Sequence, residues 1–211
     1  MSQNVSVWGR FRHLARQRGA RPARTRREPE LREWAGGSDA LTLAVLVYDG
    51  ASTSDIELPA RRLSARLGSK VRFVAARSGP HHGVEPSQTV IASAPVSAIA
   101  HPELLLVPGG LGWQLLAHDD ELMSWLATAA AGAQGVLAVS TGTLVLAATG
   151  WLDGTASAGH WLGQDQLAGL GADPVPDGIR LGKQAHLVTA SGARAGVEAA
   201  DLLADTIRWG H

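Results

Sequence analysis

The sequence has no cysteine. Disulfides, thiolate nucleophiles and cysteine-ligated zinc sites are therefore excluded together. It has no net charge either, with 19 basic and 19 acidic side chains. No global field draws it to nucleic acid or to an anionic membrane surface. Long apolar runs are also missing. None approaches the roughly 18–20 residues needed to span a bilayer, and the N-terminus lacks the apolar core of a secretion signal. Arg26-Arg27 is a twin arginine, but Glu28-Pro29-Glu30 follows it where an export signal needs apolar residues. These absences lead to the expectation of a cytoplasmic protein without membrane contact. Ring side chains are few apart from tryptophan: one Tyr and two Phe stand against seven Trp.

What is present is unevenly spread. Residues 1–40 hold nine Arg and four acids, a net charge of +5, so the remainder carries −5. This segment is rich in Gly, Pro and Arg and closes on Gly36-Gly37-Ser38-Asp39. Such a composition cannot bury enough surface to offset the entropy of ordering. It reads as a basic, disordered tail, with at most a weak helix around Val7 to Gln17. A basic arm can touch nucleic acid, but a solvated extension accounts for it better, so nucleic acid is not expected as a partner.

The folded domain is expected over residues 41–211, where the 45% apolar content of the chain is concentrated into runs. Leu41 to Tyr48 is nearly continuous apolar chain, as in a parallel strand covered on both faces. Asp49-Gly50 turns it, and Ser54 is the expected N-cap of a helix through about Leu67, with Gly68 as its stop. Further strands are expected at Val71–Ala75, Leu104–Val107 and Leu137–Val139. A hairpin is expected within Pro80–Ser93, short strands at Thr155–Ala158, Ile179–Leu181 and His186–Thr189, and helices at Asp119–Ala131, Leu162–Leu170 and Ala195–Trp209. Strands alternating with helices predict an α/β fold with a mostly parallel sheet sandwiched by helices. Ligands on such sheets bind beyond the carboxyl ends of the strands. Three turns fall there: Asp49 to Asp55, Pro108 to Gly112 and Ser140 to Gly142.

The third turn breaks an apolar strand at Ser140-Thr141-Gly142 and resumes with an apolar helix. A sharp strand-to-helix turn exposes one side chain, Ser140, beside the free N–H groups of the helix start. On this stretch alone, an ordinary strand–loop–helix junction with Ser140 as helix N-cap is the better reading. Its neighbours in the chain change that balance. Leu106-Val107-Pro108-Gly109-Gly110, then Val139-Ser140-Thr141-Gly142, then Ala158-Gly159-His160-Trp161, with Asp55-Ile56-Glu57-Leu58-Pro59 after the first strand, resemble the ThiJ/PfpI superfamily. Within it they are most similar to the isonitrile hydratase-like proteins. The resemblance runs from Leu41 to the C-terminus. It implies a flavodoxin-like member of the class I glutamine amidotransferase-like folds, a cofactor-independent enzyme with a small-molecule substrate, and a homodimer. It also implies a reactive cysteine at the elbow, and this chain has Ser140 there.

A thiol is readily poised as thiolate, whereas a hydroxyl needs a positioned base. Thiol addition to an isonitrile is therefore unavailable to this chain. Three readings remain. In one, Asp55 performs acid–base chemistry, as in a hydratase or dehydratase, an isomerase or a cyclase. The N–H groups of Gly110 and Thr141 then form an oxyanion hole and Ser140 orients substrate or water. This reading uses every matched position and is preferred. In the second, Ser140 is a nucleophile with His160 as its base and Asp165 as a candidate orienting acid, making a hydrolase. In the third, the site is inactive and binds a ligand. Alone, Asp55 would be an ordinary acid in a helix's first turn. Gly109, Trp113 and Trp161 are expected to line the substrate pocket. No cofactor and no metal is expected: His81-His82 lacks a third ligand, and Gly109-Gly110-Leu111-Gly112 lacks dinucleotide spacing.

Overall fold

The structure, a computed structural model, describes residues 31, 33–34, 40–85, 87–183 and 186–209. The expectations for residues 1–30, including the helix near Val7 to Gln17, lie outside the described residues.

The apolar runs become strands where they were expected. In chain order they are β1 (Thr42–Leu46), β2 (Lys70–Ala75), β3 (Gly79–His82), β4 (Thr89–Ala92), β5 (Ala94–Pro95), β6 (Leu104–Val107), β7 (Gly135–Val139), β8 (Ala156–Ala158), β9 (Asp173–Val175), β10 (Ile179–Leu181) and β11 (Leu187–Ala190). The helices are α1 (Thr53–Leu67), α2 (Trp113–Leu116), α3 (Asp120–Gly132), α4 (Gly142–Ala147), α5 (Gln164–Gly169) and α6 (Ala193–Trp209). Seven strands form one sheet in the order β10-β11-β7-β6-β1-β2-β5. Every pairing is parallel except the edge pair β10–β11. Strands β6, β7 and β11 are buried at every residue, and β1 at all but its first. Both sheet faces are therefore covered, which is why these strands are apolar throughout rather than alternating.

Two local devices set the first helix. Ser52, not Ser54, is its N-cap: the Ser52 hydroxyl accepts the Asp55 N–H at 3.4 Å. Ser52, Thr53, Ser54 and Asp55 can all cap. The choice falls to Ser52 because its own N–H is tied to Gly109 O at 2.8 Å, outside the helix. Gly68 ends the helix in the left-handed conformation, φ 66°, with its N–H on Ser64 O. Pro59 sits inside the helix and offers no N–H to the Asp55 carbonyl one turn back. Its ring packs toward Gly196 of α6, so α1 and α6 approach closely. Arg62 and Arg66 of α1 then reach Asp201 of α6, each at 2.7 Å, and Arg66 also pairs with Asp205.

Described residues upstream of Leu41 also pack on the domain. Leu31 bridges Val90 of β4, and the Trp34 carbonyl accepts the Val71 N–H at 3.1 Å. Glu33 takes Arg72 at 3.0 Å and the Phe73 N–H at 3.0 Å. Trp34 stands edge-on to Phe73, gives its indole N–H to Ser64 Oγ at 2.9 Å and lies under the Arg61 guanidinium. Strand β2 is paired to β5 only at Val74 and Ala75. These upstream residues satisfy part of the edge that β5 leaves open. A composition argument over forty residues averages such a short contact away. No helix among the described residues is long and apolar enough to cross a membrane.

Candidate active site

The order β2-β1-β6 reverses direction between β1 and β6. At such a switch point the loops leaving neighbouring strands part and open a crevice at their carboxyl ends. The turn after β1 and the turn after β6 are bonded across that point. Ser52 N–H donates to Gly109 O, and Leu111 N–H to Gly50 O at 2.7 Å. The turn after β7 lies against them: a Cβ on Gly142 would run into the Val107 carbonyl and Pro108. The three turns singled out in the sequence therefore do meet.

Ser140 occupies the elbow with φ 60°. A positive φ is uncommon for a residue with a Cβ and stores strain of order 1 kcal/mol or more. Its N–H is held by Ala190 O at 2.7 Å, and its carbonyl accepts from Thr143 and His160, both at 3.3 Å. The strain is thus fixed from β11 and from the segment after β8. Ser140 is 7% exposed and Asp55 is 5% exposed. Gly109 is the seam between them. A Cβ there would sit 2.7 Å from Asp55 Oδ2, 2.7 Å from Ser140 Cβ and 2.9 Å from the Thr141 nitrogen. Only a glycine lets carboxylate, elbow and turn come this close.

The Asp55 carboxylate has the Ser52 hydroxyl, the Gly109 N–H and the Ser140 hydroxyl as hydrogen-bond partners. Each favours the charged form, but burial outweighs them and pushes the carboxyl up to about 6. Tyr48 lies at the end of β1 and donates its buried hydroxyl to Pro108 O at 2.9 Å. Burial, then the nearby Asp55 charge, drives its phenol far above the usual range, so it stays a neutral donor. Tyr48 and Ser52 are site residues the sequence reading missed. The signal available for Tyr48 was its position, as the chain's single tyrosine at the exit of the first strand.

The expected oxyanion pair requires correction. Gly110 N–H is already given to Thr141 Oγ1 at 2.8 Å, and that hydroxyl returns a bond to Gly110 O at 3.0 Å. Thr141 is a latch between the elbow and the Pro108-Gly109-Gly110 turn. It uses the donor that was to meet substrate. Gly110 itself packs against the Gly50 backbone.

His160 is close through its backbone, but its ring faces a different duty. Nδ1 accepts the Leu162 N–H at 3.2 Å, capping the short turn Trp161–Gly163. An accepting Nδ1 is unprotonated, so the neutral ring carries its proton on Nε2. Burial lowers the pKa of His160, which keeps this neutral tautomer. In that form the ring donates a proton rather than taking one from Ser140. Asp165 lies exposed in the first turn of α5.

The tryptophans divide. Trp113, 9% exposed, belongs to the hydrophobic core, whereas Trp161 is 62% exposed and stacks on the His160 ring. Trp125 is a packing residue whose indole N–H donates to Ile99 O at 2.9 Å. The His81-His82 pair lies in β3. His82 is exposed, while His81 is partly buried, 3.7 Å from Asp49 and bonded to Arg77 O. Among the described residues no three His, Cys, Asp or Glu side chains gather as metal ligands.

The family model described as the DJ-1/PfpI family matches residues 42–205. The chain belongs to the DJ-1/PfpI family. It is 38% identical over 105 residues to the isonitrile hydratase of Pseudomonas putida, a match covering 50% of this chain and 45% of that enzyme. The chain thus spans about half the length of this curated relative. A solved ThiJ/PfpI family protein from Pseudomonas syringae is similar with a TM-score of 0.72 and 27% identity, over 82% of this chain and 70% of that one. Drosophila melanogaster DJ-1beta is similar with a TM-score of 0.69 and 20% identity, over 80% and 90% of the two chains. At that identity the likeness is one of fold. In this DJ-1/PfpI member the turns after β1, β6 and β7 build one buried carboxylate–hydroxyl pair, Asp55 with Ser140.

Proposed function

We propose that this protein is a cofactor-independent, hydratase-type enzyme in which Asp55 moves the proton and Ser140 orients water or substrate. The observation that carries the reading is the Asp55 carboxyl poised at about 6 beside the Ser140 hydroxyl. An acid–base group works best when its pKa lies near the operating pH. The 38% identity to an isonitrile hydratase over half the chain supports the reaction type. No cation partners Asp55 among the described residues, which favours an uncharged substrate. As a carboxylate, Asp55 takes a proton from water while the water oxygen bonds to an electrophilic carbon, such as that of an isonitrile. The carboxylic acid then returns the proton to that same carbon, and the resulting formimidic acid tautomerises to the formamide. One water is added and the residue is regenerated. Charge developing on the substrate meets the Thr141 N–H, which lies at the same seam as Gly109.

The experiment is turnover of a panel of alkyl and aryl isonitriles, read by mass as addition of one water. Asp55→Asn is expected to lower kcat by about 10²-fold or more, the usual worth of a positioned acid–base group. Ser140→Ala is expected to retain a measurable fraction. Full activity in Asp55→Asn, or a covalent fluorophosphonate adduct on Ser140, overturns the reading. The left-handed elbow at Ser140 keeps the hydrolase reading in view, and the His160 tautomer opposes it. Replacement of the elbow thiol by a hydroxyl supports the inactive, ligand-binding reading. Ligand binding without turnover across the panel decides for it.

A further inference from the structure

Ser52 was no part of the expected site, yet it touches both Gly109 and Asp55. Its N–H donates to Gly109 O at 2.8 Å. Gly109 N–H in turn reaches the Asp55 carboxylate. The Ser52 hydroxyl accepts the Asp55 N–H at 3.4 Å and stands 3.0 Å from Ser54 Oγ. The result is a closed ring: Ser52 N–H to Gly109 O, Gly109 packed against Asp55 Oδ2, and Asp55 N–H back to the Ser52 hydroxyl. The same hydroxyl favours the charged form of the Asp55 carboxyl.

An N-cap needs only that hydroxyl and a backbone N–H of the first turn. The ring goes further, because it fixes where the carboxylate lies relative to the turn after β6. We propose that Ser52 is a positioning residue of this site, holding the Asp55 carboxylate against the Gly109 N–H and the Ser140 hydroxyl. This inference rests on the hydratase reading for its consequence in catalysis, but not for its geometry.

The surroundings of Asp55 make the effect legible. Tyr48, from the end of β1, is the titratable neighbour that senses its charge, and it remains neutral. Ser52 faces it from the α1 entry, Gly109 from the turn after β6 and Ser140 from the elbow. No ionic partner acts on Asp55 among the described residues. Its protonation is therefore set by burial against three hydrogen bonds, of which that from Ser52 has the largest effect. Removing a donor to the charged form raises the pKa.

The test is the Asp55 carboxyl titration, followed by carbon-13 shifts in aspartate-labelled protein. The wild-type midpoint is expected near 6. Ser52→Ala is expected to move it up by about one pH unit, the scale of a hydrogen bond to a charged group. Ser52→Thr, which restores a hydroxyl, is expected to bring it back. Ser52→Gly also removes the hydroxyl but costs the cap only a few tenths of a kcal/mol, so it carries the same test should Ser52→Ala not fold. In turnover, the acid limb of the kcat profile is expected to follow the same shift. A midpoint unchanged in both Ser52→Ala and Ser52→Gly overturns the proposal. So does a Ser52→Thr midpoint displaced as far as that of Ser52→Ala. The titration needs no substrate, so a failure of the hydratase reading appears as absent turnover with the midpoint shift intact.

Discussion

Helix α1 carries two kinds of charge at its two ends, and they answer to opposite physics. At the N-terminal end Asp55 is buried, has no ionic partner among the described residues and is pushed up to about 6. At the C-terminal end Arg62 and Arg66 grip Asp201 of α6 in the open, and Asp201 is held below the usual carboxylate range, by Arg62 first and then Arg66. Neutral Asp55 suits the fold, so its contribution is full below 3.8 and is lost as pH rises through about 6. Asp201 behaves in reverse. Its contribution is present above the ordinary carboxylate value and is lost as acid protonates it. One end of the helix is arranged for proton transfer at a cost in stability, and the other holds helix to helix. Charges that merely decorate a surface would show neither pattern.

An atom placed in the seam at Gly109 disturbs the buried end of α1 most. Gly109→Ala places a methyl 2.7 Å from both Asp55 Oδ2 and Ser140 Cβ. Overpacking of this kind costs about 1–3 kcal/mol or more, and the carboxylate must leave its donors. The expected result is loss of turnover together with a lower denaturant midpoint. Near wild-type behaviour in both would mean that the three turns are looser than their bonds indicate.

Asp55→Asn separates function from stability at the same end. The amide keeps the shape and removes the titration. Moving a carboxyl from 3.8 to about 6 corresponds to about 3 kcal/mol lost by the fold above pH 6. The variant is expected to be more stable than wild type at pH 8, by up to that amount, while being the least active. Below pH 4 the difference is expected to vanish. Denaturant melts at the two pH values measure it. A variant less stable at pH 8 would show that the hydrogen bonds to the carboxylate outweigh its burial.

How much of this was readable beforehand follows from which forces act locally. The buried strands of a parallel sheet are apolar on both faces, so Leu104–Val107 and Leu137–Val139 announce themselves without any knowledge of neighbours. The three turns fall at strand ends for the same reason, and the family motifs fix their order. The bonds among the turns are tertiary and leave no such trace. Ser52 was hidden among four residues able to cap, and a contact to Gly109 chose it. Gly110 looked like an oxyanion donor until Thr141 was seen to hold its N–H. The His160 tautomer is set by the Leu162 N–H two residues on, which no residue pattern encodes. Trp34 was lost in a composition that speaks for disorder, although its indole packs on Phe73.

The smallest expected effect tests whether the two ends of α1 are independent. Asp201→Asn removes the carboxylate that Arg62 and Arg66 share. Both pairs are solvent-exposed in part, and exposed pairs are worth about 0.2–1 kcal/mol each. The loss is expected to be about 1 kcal/mol or less and to shrink in high salt, as screening removes what the wild type had to lose. The Asp55 midpoint is expected to stay where it is. Arg62 and Arg66 lie seven and eleven residues further along α1, about 10 and 16 Å at 1.5 Å per residue, both beyond the Debye length of about 8 Å at physiological ionic strength. Hydrogen bonds to Ser52, Gly109 and Ser140 act at contact and are untouched by the change. A displaced Asp55 titration in Asp201→Asn would mean that the α1–α6 clamp positions the first turn mechanically. The stabilising end of the helix would then be part of the site.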